Sequence, residues 1–239
     1  MILKDITLPS PEENVLYDEL LLRQAEGGLG EEALRFWESP LPFIVLGRIS
    51  RYEDDVDRRA LARYPIPMVR RCSGGGTVLQ GRGCLNYALV LSKLKNKHLQ
   101  DIHGSYEFIL NKIITGLNDL GVKAVFRPVS DIALMESEKK FSGNAQKRGR
   151  QFILHHGTIL YNFDLSCIAK YLRIPKSFPE YRRGRGHLEF VTNVDVSASL
   201  LKEKLREIFD AQPESRELLP EEREQLQRLS AERRVFRGL

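Results

Sequence analysis

Apolar residues recur along this chain at two spacings, one typical of helices and one typical of strands. Leu16, Leu20 and Leu21 form one helical stripe after residues 10–13 (SPEE), where serine, proline and glutamate predict a capped helix start. Helical spacing or capping residues predict further helices over 54–64, from Ser105 as the cap to 120, from Asp164 or Ser166 to 172, after Ser197 or Ser199 to 209, and from 221 onward.

Short runs of apolar and β-branched residues, separated by turn residues, predict the strands. The runs cover residues 33–38, 43–47 and 86–91, followed by a β-rich segment, 124–161, with AVFRPV, DIALM, KFSGNA, QFIL and GTILYNF as separate strands. Strands and helices are interspersed without a repeating strand–helix–strand unit. We therefore expect an α+β fold, a mixed sheet flanked by helices that lie mostly on one face.

A glycine-rich stretch, residues 69–91, is the most unusual segment. Its sequence VRRCSGGGTVLQGRGCLNYALVL places Arg70 and Arg71 just before Gly74-Gly75-Gly76. Consecutive glycines weaken regular elements, but they let backbone N–H groups approach a ligand closely, and the arginines indicate an anionic ligand. A plain glycine turn between strands is the alternative. The spacing matches neither the dinucleotide-binding nor the P-loop pattern.

Composition narrows the class of protein. With 239 residues, 42% hydrophobic and 29% charged, the chain fits one large domain or a domain with a small appendage. The net charge of +5 favours anionic partners. Three cysteines without a CxxC pair suit a reducing cytoplasm and indicate no zinc site. We find neither a signal-peptide pattern nor an apolar run long enough to span a bilayer, so we expect a cytoplasmic protein without a membrane partner.

Three further groups of residues could carry chemistry. The pair Lys139-Lys140 precedes small residues at 142–145 (SGNA), which permit close approach to a carbonyl or phosphate; a solvated hairpin tip is the alternative. One of His155 and His156 must point inward, and a buried, hydrogen-bonded histidine is the commoner outcome. Asp131 could bind magnesium, orient an attacking amine, or be only a strand-edge carboxylate.

The cysteines and a basic loop have simpler interpretations. Cys72 and Cys84 flank the glycines and are expected to be small buried thiols, with a nucleophilic role as the alternative. The basic loop 173–187 has too few aromatic residues for single-stranded nucleic acid. We expect it to be solvated or to face a partner, and we expect no nucleic-acid partner. No Ser-His-Asp order is indicated.

In combination, these motifs are similar to those of a known family. Residues 70–78 (RRCSGGGTV) match RRxSGGGxV, residues 140–145 (KFSGNA) match a lysine motif, and residues 155–160 (HHGTIL) match an HHGTLL-like strand. With FWESPLPFIVLGR near the start, they follow the family's order over about residues 11–200. The chain resembles the lipoate–protein ligase and octanoyltransferase family, whose catalytic domain is related to biotin–protein ligases and class II tRNA-synthetase-like folds.

The resemblance implies a site and its ligands. Lys140 would contact the acyl carbonyl and the phosphate, and Asp131 would be catalytic and a magnesium ligand near the acceptor lysine. ATP, Mg²⁺ and lipoate or octanoate are the implied ligands. The residues implied to bind the acyl group or acyl-adenylate are Arg70, Ser73, Gly74, Gly75, Gly76, Asn86, Gly143, His156, Gly157 and Thr158.

The implied activity is transfer of a lipoyl or octanoyl group, via an acyl-adenylate, to a specific lysine of a lipoyl-acceptor protein. We expect a catalytic domain over residues 1–211 and a charged helical tail over 212–239, in place of the small C-terminal domain of bacterial ligases. An accessory ligase subunit is therefore another expected partner. One alternative is an octanoyltransferase that uses acyl carrier protein and a cysteine thioester; another is a non-catalytic homologue that binds acyl-adenylate or nucleotide.

The chain departs from the family pattern at two places. Gln80-Gly81 stands where many members have His-Asp after the glycines. Residues 131–139 contain no cysteine, and Cys167 lies nearer to the HHG strand than the family's cysteine loop. The thioester alternative therefore lacks a cysteine at a matched position.

Overall fold

The computed structural model describes residues 1–213 and 217–236. Its strands are β1 (Ile2–Asp5), β2 (Ala33–Trp37), β3 (Phe43–Leu46), β4 (Met68–Arg70), β5 (Val78–Gln80), β6 (Cys84–Ser92), β7 (Ala124–Arg127), β8 (Asp131–Leu134), β9 (Lys140–Arg148), β10 (Phe152–Leu160) and β11 (Gln212–Pro213). Its α-helices are α1 (Pro11–Glu26), α2 (Tyr52–Asp55), α3 (Arg58–Arg63), α4 (Ile102–Asp119), α5 (Ser166–Tyr171), α6 (His187–Phe190), α7 (Ala198–Ile208) and α8 (Pro220–Phe236).

In the described part of the chain, these strands form two sheets. The large sheet has the order β11-β1-β2-β6-β10-β9-β8-β7; β1 is parallel to both neighbours and the other pairs are antiparallel. The small sheet has the order β4-β3-β5. It packs through Phe43, Val45 and Val69 against Trp37 of β2 and Val15 of α1. The expected α+β fold with a mixed sheet is confirmed.

The central strand β6 is buried along its whole length and contributes side chains to two hydrophobic cores. Leu85, Tyr87 and Leu89 face the helices α4 and α7, whereas Ala88 and Val90 face α1 and α8. We call these sides of the large sheet the α4 face and the α1 face. The expectation that helices lie mostly on one face is wrong, because successive side chains of a strand point to opposite sides and both sets here are apolar.

Local signals succeed at some element ends and fail at others. Ser10 caps α1 in a full capping box, as its sequence predicts. Ser105, however, is not the cap of α4: Asp101 caps it, and the Ser105 side chain is buried inside the helix. The helix predicted over 54–64 is two helices, because the Asp57 side chain caps a second one. The runs QFIL and GTILYNF join into the single strand β10. The sequence pattern predicted neither β11, at the edge of the large sheet, nor β1 beside it.

Helix α8 folds back onto α1. Leu226 and Leu229 are buried in the core of the α1 face, and each contributes about 1.5–3 kcal/mol by that burial. Glu222 accepts a hydrogen bond from the Tyr17 hydroxyl (2.8 Å) and pairs with the Lys4 ammonium (3.1 Å). None of the helices in the described residues combines the length and apolar character needed to cross a bilayer.

Candidate active site

The glycine loop, residues 71–77, connects β4 to β5 and is held from within by one arginine. Arg71 is only 7% exposed, and its guanidinium donates to the carbonyl oxygens of Gly74 (2.6 Å) and Gly76 (2.8 Å) and to Ser73 Oγ (3.0 Å). Burial lowers the pKa of Arg71 to about 10, so it stays charged at neutral pH. Gly75 has φ +80°, a conformation that favours glycine.

The N–H groups of this loop are available to a ligand. In the described residues, the backbone N–H groups of Gly74, Gly75 and Gly76 donate to no protein acceptor, whereas the carbonyls of Gly74 and Gly76 are turned towards Arg71. Successive N–H donors of this kind make a site for an anion. The sequence predicted this property of the glycines, but not that Arg71 produces it.

Arg70 has a different position from Arg71. Its guanidinium donates to the carbonyl oxygens of Gly47 (2.7 Å) and Ser50 (2.8 Å). This segment lies directly against the glycine loop, because a Cβ on Gly47 would overlap the Gly75 carbonyl. Arg70 therefore stabilises residues 47–50, which lie against the glycine loop.

The three sequence motifs meet on the α1 face. A Cβ placed on Gly75 would lie 3.8 Å from Cβ of Ala145, so the glycine loop rests on β9. Ser73 Oγ lies 2.6 Å from Nε2 of His156 on β10. His156 pairs with Ala145 across the two strands, so all three segments are adjacent. We use the word cleft for this part of the α1 face, where the glycine loop lies over β9 and β10.

The buried ion pair of Asp18 and Arg35 lies next to His156, at the ring nitrogen that does not contact Ser73. Nδ1 of His156 lies 3.4 Å from Oδ2 of Asp18, whose Oδ1 lies 2.5 Å from the Arg35 guanidinium. Burial alone would raise the pKa of Asp18, but the Arg35 charge and the His156 hydrogen bond outweigh it, so the pKa lies below its ordinary value. Sequence analysis missed Asp18 and Arg35, because nothing in their local pattern distinguishes them from other polar residues.

Ser73, His156 and Asp18 thus form a serine–histidine–aspartate chain that the sequence did not indicate. Ser73 is 1% exposed, and its Oγ already accepts a hydrogen bond from Arg71. The Asp18 charge is balanced by Arg35. These contacts hold the glycine loop on the sheet and do not favour Ser73 as a nucleophile.

The two adjacent histidines point to opposite faces. His155 is fully buried on the α4 face, where its Nδ1 lies 3.1 Å from the Gln146 amide and its ring packs against Tyr87 and Tyr106. Burial, with a smaller contribution from His156, lowers the pKa of His155 to about 3. His155 is therefore the buried histidine that the sequence led us to expect, and His156 faces the cleft.

Lys140 and Asp131 lie together at the other end of the cleft. Nζ of Lys140 is 2.7 Å from Oδ1 of Asp131, and the Tyr181 hydroxyl donates to Oδ2 at 2.7 Å. Burial and the Asp131 carboxylate raise the pKa of Tyr181, so its phenol remains a donor. Lys140 Nζ would lie 2.8 Å from a Cβ on Gly143, which explains the glycine in the lysine motif.

Tyr181 belongs to the basic loop 173–187, so that loop is not simply solvated. Arg185 donates to the carbonyls of Glu138 (3.1 Å) and Tyr181 (2.9 Å), and Arg183 pairs with Glu138 (3.0 Å). The loop therefore packs on the turn that precedes Lys140. No local pattern indicates this contact, because Arg185 and Glu138 lie 47 positions apart and meet only in the fold.

The remaining candidate residues divide between the two faces. Gly157 faces the α4 side, where a Cβ would overlap the Asn144 side chain that the Tyr87 hydroxyl binds. Thr158 and Asn86 lie on the α1 face, with Thr158 Oγ1 3.2 Å from Asn86 Oδ1. Gln80 of β5 donates to Thr158 Oγ1 (2.9 Å) and so links the small sheet to the large one.

The cysteines do not supply a reactive thiolate. Burial raises the pKa of Cys72 to about 12 and also raises that of Cys84. Cys167, on α5, donates to the Asp164 carboxylate at 3.4 Å, and burial and that carboxylate raise its pKa as well. Neutral thiols are poor nucleophiles at pH 7.

Asp131 is the carboxylate at this site that could bind magnesium. No cluster of three or more acidic, histidine or cysteine side chains suited to a metal ion exists among the described residues. Mg²⁺ that accompanies a nucleotide is commonly held by one or two carboxylates, phosphate oxygens and water. One carboxylate, Asp131, on the same face of the sheet as the anion-binding loop fits that arrangement.

Comparison with known proteins agrees with this geometry. The family model of the lipoyl protein ligase A/B catalytic domain matches residues 10–210. An octanoyltransferase LipM of Kyrpidia tusciae is 30% identical over 248 residues, covering 91% of this chain and 90% of that protein. A "Probable lipoate-protein ligase A" of Mycoplasma pneumoniae is 30% identical over 179 residues, covering 73% of this chain. The chain spans only 51% of that relative's length.

Solved structures share the fold. A bi-partite lipoate protein ligase from Thermoplasma acidophilum, described with its E2 lipoyl domain, superposes with a TM-score of 0.78 at 23% identity, over 96% of this chain and 92% of that one. A lipoate-protein ligase A bound with ATP superposes with a TM-score of 0.77 at 25% identity, over 95% and 93% of the two chains. The resemblance seen in the motifs is confirmed: the chain belongs to the lipoyl protein ligase A/B catalytic domain family.

Proposed function

We propose that this protein transfers a lipoyl or octanoyl group, through an acyl-adenylate made with ATP, to a specific lysine of a lipoyl-acceptor protein. The observation that carries the proposal is a set of donors on one face of the large sheet. The Lys140 ammonium stands over Gly143 of β9, and the glycine loop, with its free N–H groups, lies against Ala145 of the same strand. Both are donors for a carboxylate and for a phosphate.

The chemistry needs those donors at two steps. A carboxylate oxygen of the acyl substrate attacks the α-phosphorus of ATP and pyrophosphate leaves; the neutral ε-amine of the acceptor lysine then attacks the acyl carbonyl and AMP leaves. Lys140 and the loop N–H groups offset the negative charge that develops on phosphate and carbonyl oxygens. Asp131, 2.7 Å from Lys140, is positioned to orient the attacking amine. Mg²⁺ bound by Asp131 and the phosphates would screen the phosphate charge.

The similarity to an octanoyltransferase over most of both chains supports a second candidate. In that case an acyl carrier protein would donate an octanoyl group without ATP. The cysteines argue against a thioester intermediate, because burial raises the pKa of Cys72 and Cys84 and the Asp164 carboxylate helps to raise that of Cys167. Adenylate chemistry requires no thiol, so we prefer the ligase.

The same proposal includes the partners and the compartment. A lipoyl-acceptor domain must present its lysine at the Lys140 end of the cleft. An accessory ligase subunit is a further proposed partner, because a ligase with the same fold is bi-partite. The free cysteines suit a reducing compartment, and we propose the cytoplasm.

Intact-mass spectrometry of a lipoyl-acceptor domain tests the proposal. One reaction contains this protein, lipoate, ATP and Mg²⁺; the other contains this protein and octanoyl-carrier protein without ATP. A lipoyl mass gain in the first reaction alone is expected. An octanoyl mass gain in the second reaction alone would show that the protein is an octanoyltransferase. No gain in either, also after addition of an accessory subunit, would contradict both candidates and favour a homologue that only binds ligand.

A further inference from the structure

Helix α2 lies between the two loops of the site and contacts both. The hydroxyl of Thr77, the last residue of the glycine loop, donates to Oδ2 of Asp55 at 2.5 Å. The backbone carbonyl of the same Asp55 accepts from the N–H of Arg173 at 2.9 Å, where the basic loop begins. One residue thus joins the two loops, to one through its side chain and to the other through its backbone.

Other residues of α2 also hold the beginning of the basic loop. The Arg173 guanidinium donates to the Glu53 carbonyl oxygen at 3.2 Å, and the Lys176 ammonium pairs with the Asp54 carboxylate at 2.7 Å. Among the hydrogen bonds of the described residues, by contrast, only that of Asp55 joins α2 to the glycine loop. The connection between the two loops therefore depends on one carboxylate.

The basic loop continues this connection to Asp131. At the end of the loop, Nε2 of His187 donates to the Arg173 carbonyl oxygen (3.2 Å), and Nδ1 of the same ring accepts from the Arg182 guanidinium (3.5 Å). Arg182 is buried and directly follows Tyr181, whose hydroxyl donates to Asp131 Oδ2 at 2.7 Å. An unbroken series of contacts thus joins the glycine loop to the Asp131 carboxylate.

A ligand that binds at both ends of the site needs the two ends at a fixed separation. In the proposed function, the phosphate of an acyl-adenylate binds the glycine loop and its carbonyl contacts Lys140, which is 2.7 Å from Asp131. Groups already held in place bind such a ligand more tightly, because no free energy is lost in aligning them. We propose that Asp55 is a positioning residue, which holds the glycine loop at a fixed distance from the Asp131–Lys140 pair and so favours ligands that reach both.

This inference rests on the proposed function and separates two kinds of ligand. Inorganic pyrophosphate is small enough to bind the N–H groups of the glycine loop alone. A lipoyl sulfamoyl adenosine, which is a stable analogue of the acyl-adenylate, extends from the loop to Lys140. Loss of the hydrogen bond between Asp55 and Thr77 should therefore weaken the analogue and leave pyrophosphate nearly unchanged. A contact that only kept the glycine loop folded would weaken both ligands alike.

Isothermal titration calorimetry with the two ligands tests this difference without depending on turnover. Asp55→Ala and Thr77→Val should each bind the analogue about tenfold more weakly, the effect of losing one hydrogen bond. The double variant should bind it no more weakly than either single variant, since both changes remove the same bond. Asp55→Asn keeps an acceptor and Thr77→Ser keeps a hydroxyl, so each should retain most of the affinity.

Glu53→Ala is the matched control, because Glu53 is exposed on the same helix and its carboxylate has no hydrogen bond or ion pair with either loop in the described part of the chain. It should leave both affinities unchanged. A ratio of the two affinities that stays the same in Asp55→Ala or in Thr77→Val would overturn this inference alone. So would wild-type protein that binds the analogue but not pyrophosphate. Failure of wild-type protein to bind the analogue would overturn the proposed function and this inference with it.

Discussion

The Oγ atom of Ser73 lies 2.6 Å from Nε2 of His156, although 83 positions separate the two residues in the chain. The contact joins the glycine loop, which belongs to the small sheet, to β10 of the large sheet. Behind it, Asp18 and Arg35 fix the histidine from α1 and β2. The position of the loop N–H groups therefore depends on residues from both sheets and from α1, and changes in any of these should alter ligand binding.

Lys140→Ala should lower acyl transfer by about 100-fold or more, because it removes the charged donor closest to the reacting oxygens. The fold should stay intact, because the Lys140 side chain is 27% exposed and the buried Asp131 carboxylate keeps the hydrogen bond from Tyr181. Steady-state transfer to an acceptor domain measures the effect. Lys139→Ala, one residue earlier in the turn, is the control and should stay active. Near wild-type transfer by Lys140→Ala would refute its assigned role.

Arg71→Met should impair acyl or nucleotide binding more than Arg70→Met does. Arg71 holds the Gly74 and Gly76 carbonyls that orient the loop, whereas Arg70 holds the neighbouring Gly47 and Ser50 carbonyls. Loss of Arg71 removes the buried guanidinium that makes these bonds and should cost about 1–3 kcal/mol of stability. Calorimetric titration with ATP and chemical denaturation measure the two effects. Weaker ATP binding in Arg70→Met than in Arg71→Met would reverse the assignment.

Gly157→Ala should destabilise the protein by about 1–3 kcal/mol, because its methyl group would overlap the Asn144 side chain and the Tyr87 hydroxyl. Gly74→Ala is the comparison, since a Cβ there meets no atom within 4 Å and its φ is not positive. Urea unfolding of both variants gives the difference. Equal stability of the two would show that β10 can shift to accept the extra carbon.

A variant with Cys72, Cys84 and Cys167 all changed to alanine should keep its acyl-transfer activity. Neutral thiols held at raised pKa have no assigned step in adenylate chemistry. Transfer assays on the variant, with circular dichroism as the check on folding, decide the point. A variant that folds but has no transfer activity would contradict this prediction and would favour a thioester formed on one of the cysteines.

Stability should rise with pH between about pH 4 and pH 6.5, because the pKa of His155 is about 3 in the folded protein and near 6.5 when exposed. In that interval the unfolded chain binds a proton that the folded chain does not, so stability is lost as pH falls, by at most about 1.4 kcal/mol per pH unit. His155→Gln should flatten this part of a denaturant-versus-pH profile. His103→Gln changes an exposed histidine and should leave the slope intact. An unchanged slope in His155→Gln would assign the effect to other groups.

The sequence by itself determined the family, the mixed α+β class and the three motifs whose segments meet on the α1 face. Its signals were short-range ones: the capping box at Ser10, the three glycines, and the spacing of the lysine and histidine motifs. Each of these signals reflects either a local backbone conformation or a contact with one ligand. Both depend on residues that are close together in the chain, so a short sequence pattern can reveal them. They also indicated that one of His155 and His156 would be buried.

Tertiary structure alone decided which residues hold that cleft in shape. Arg35, Asp18 and Tyr181 come from segments with no motif. They became significant only when strand register and helix packing brought Arg35 to Asp18, Asp18 to His156, and Tyr181 to Asp131. Burial also set the protonation of Cys72 and His155, and it left Trp37 Nε1 and Gln80 Oε1 without hydrogen-bond partners among the described residues. These properties arise from desolvation and from contacts distant in sequence, which no local pattern of residues encodes.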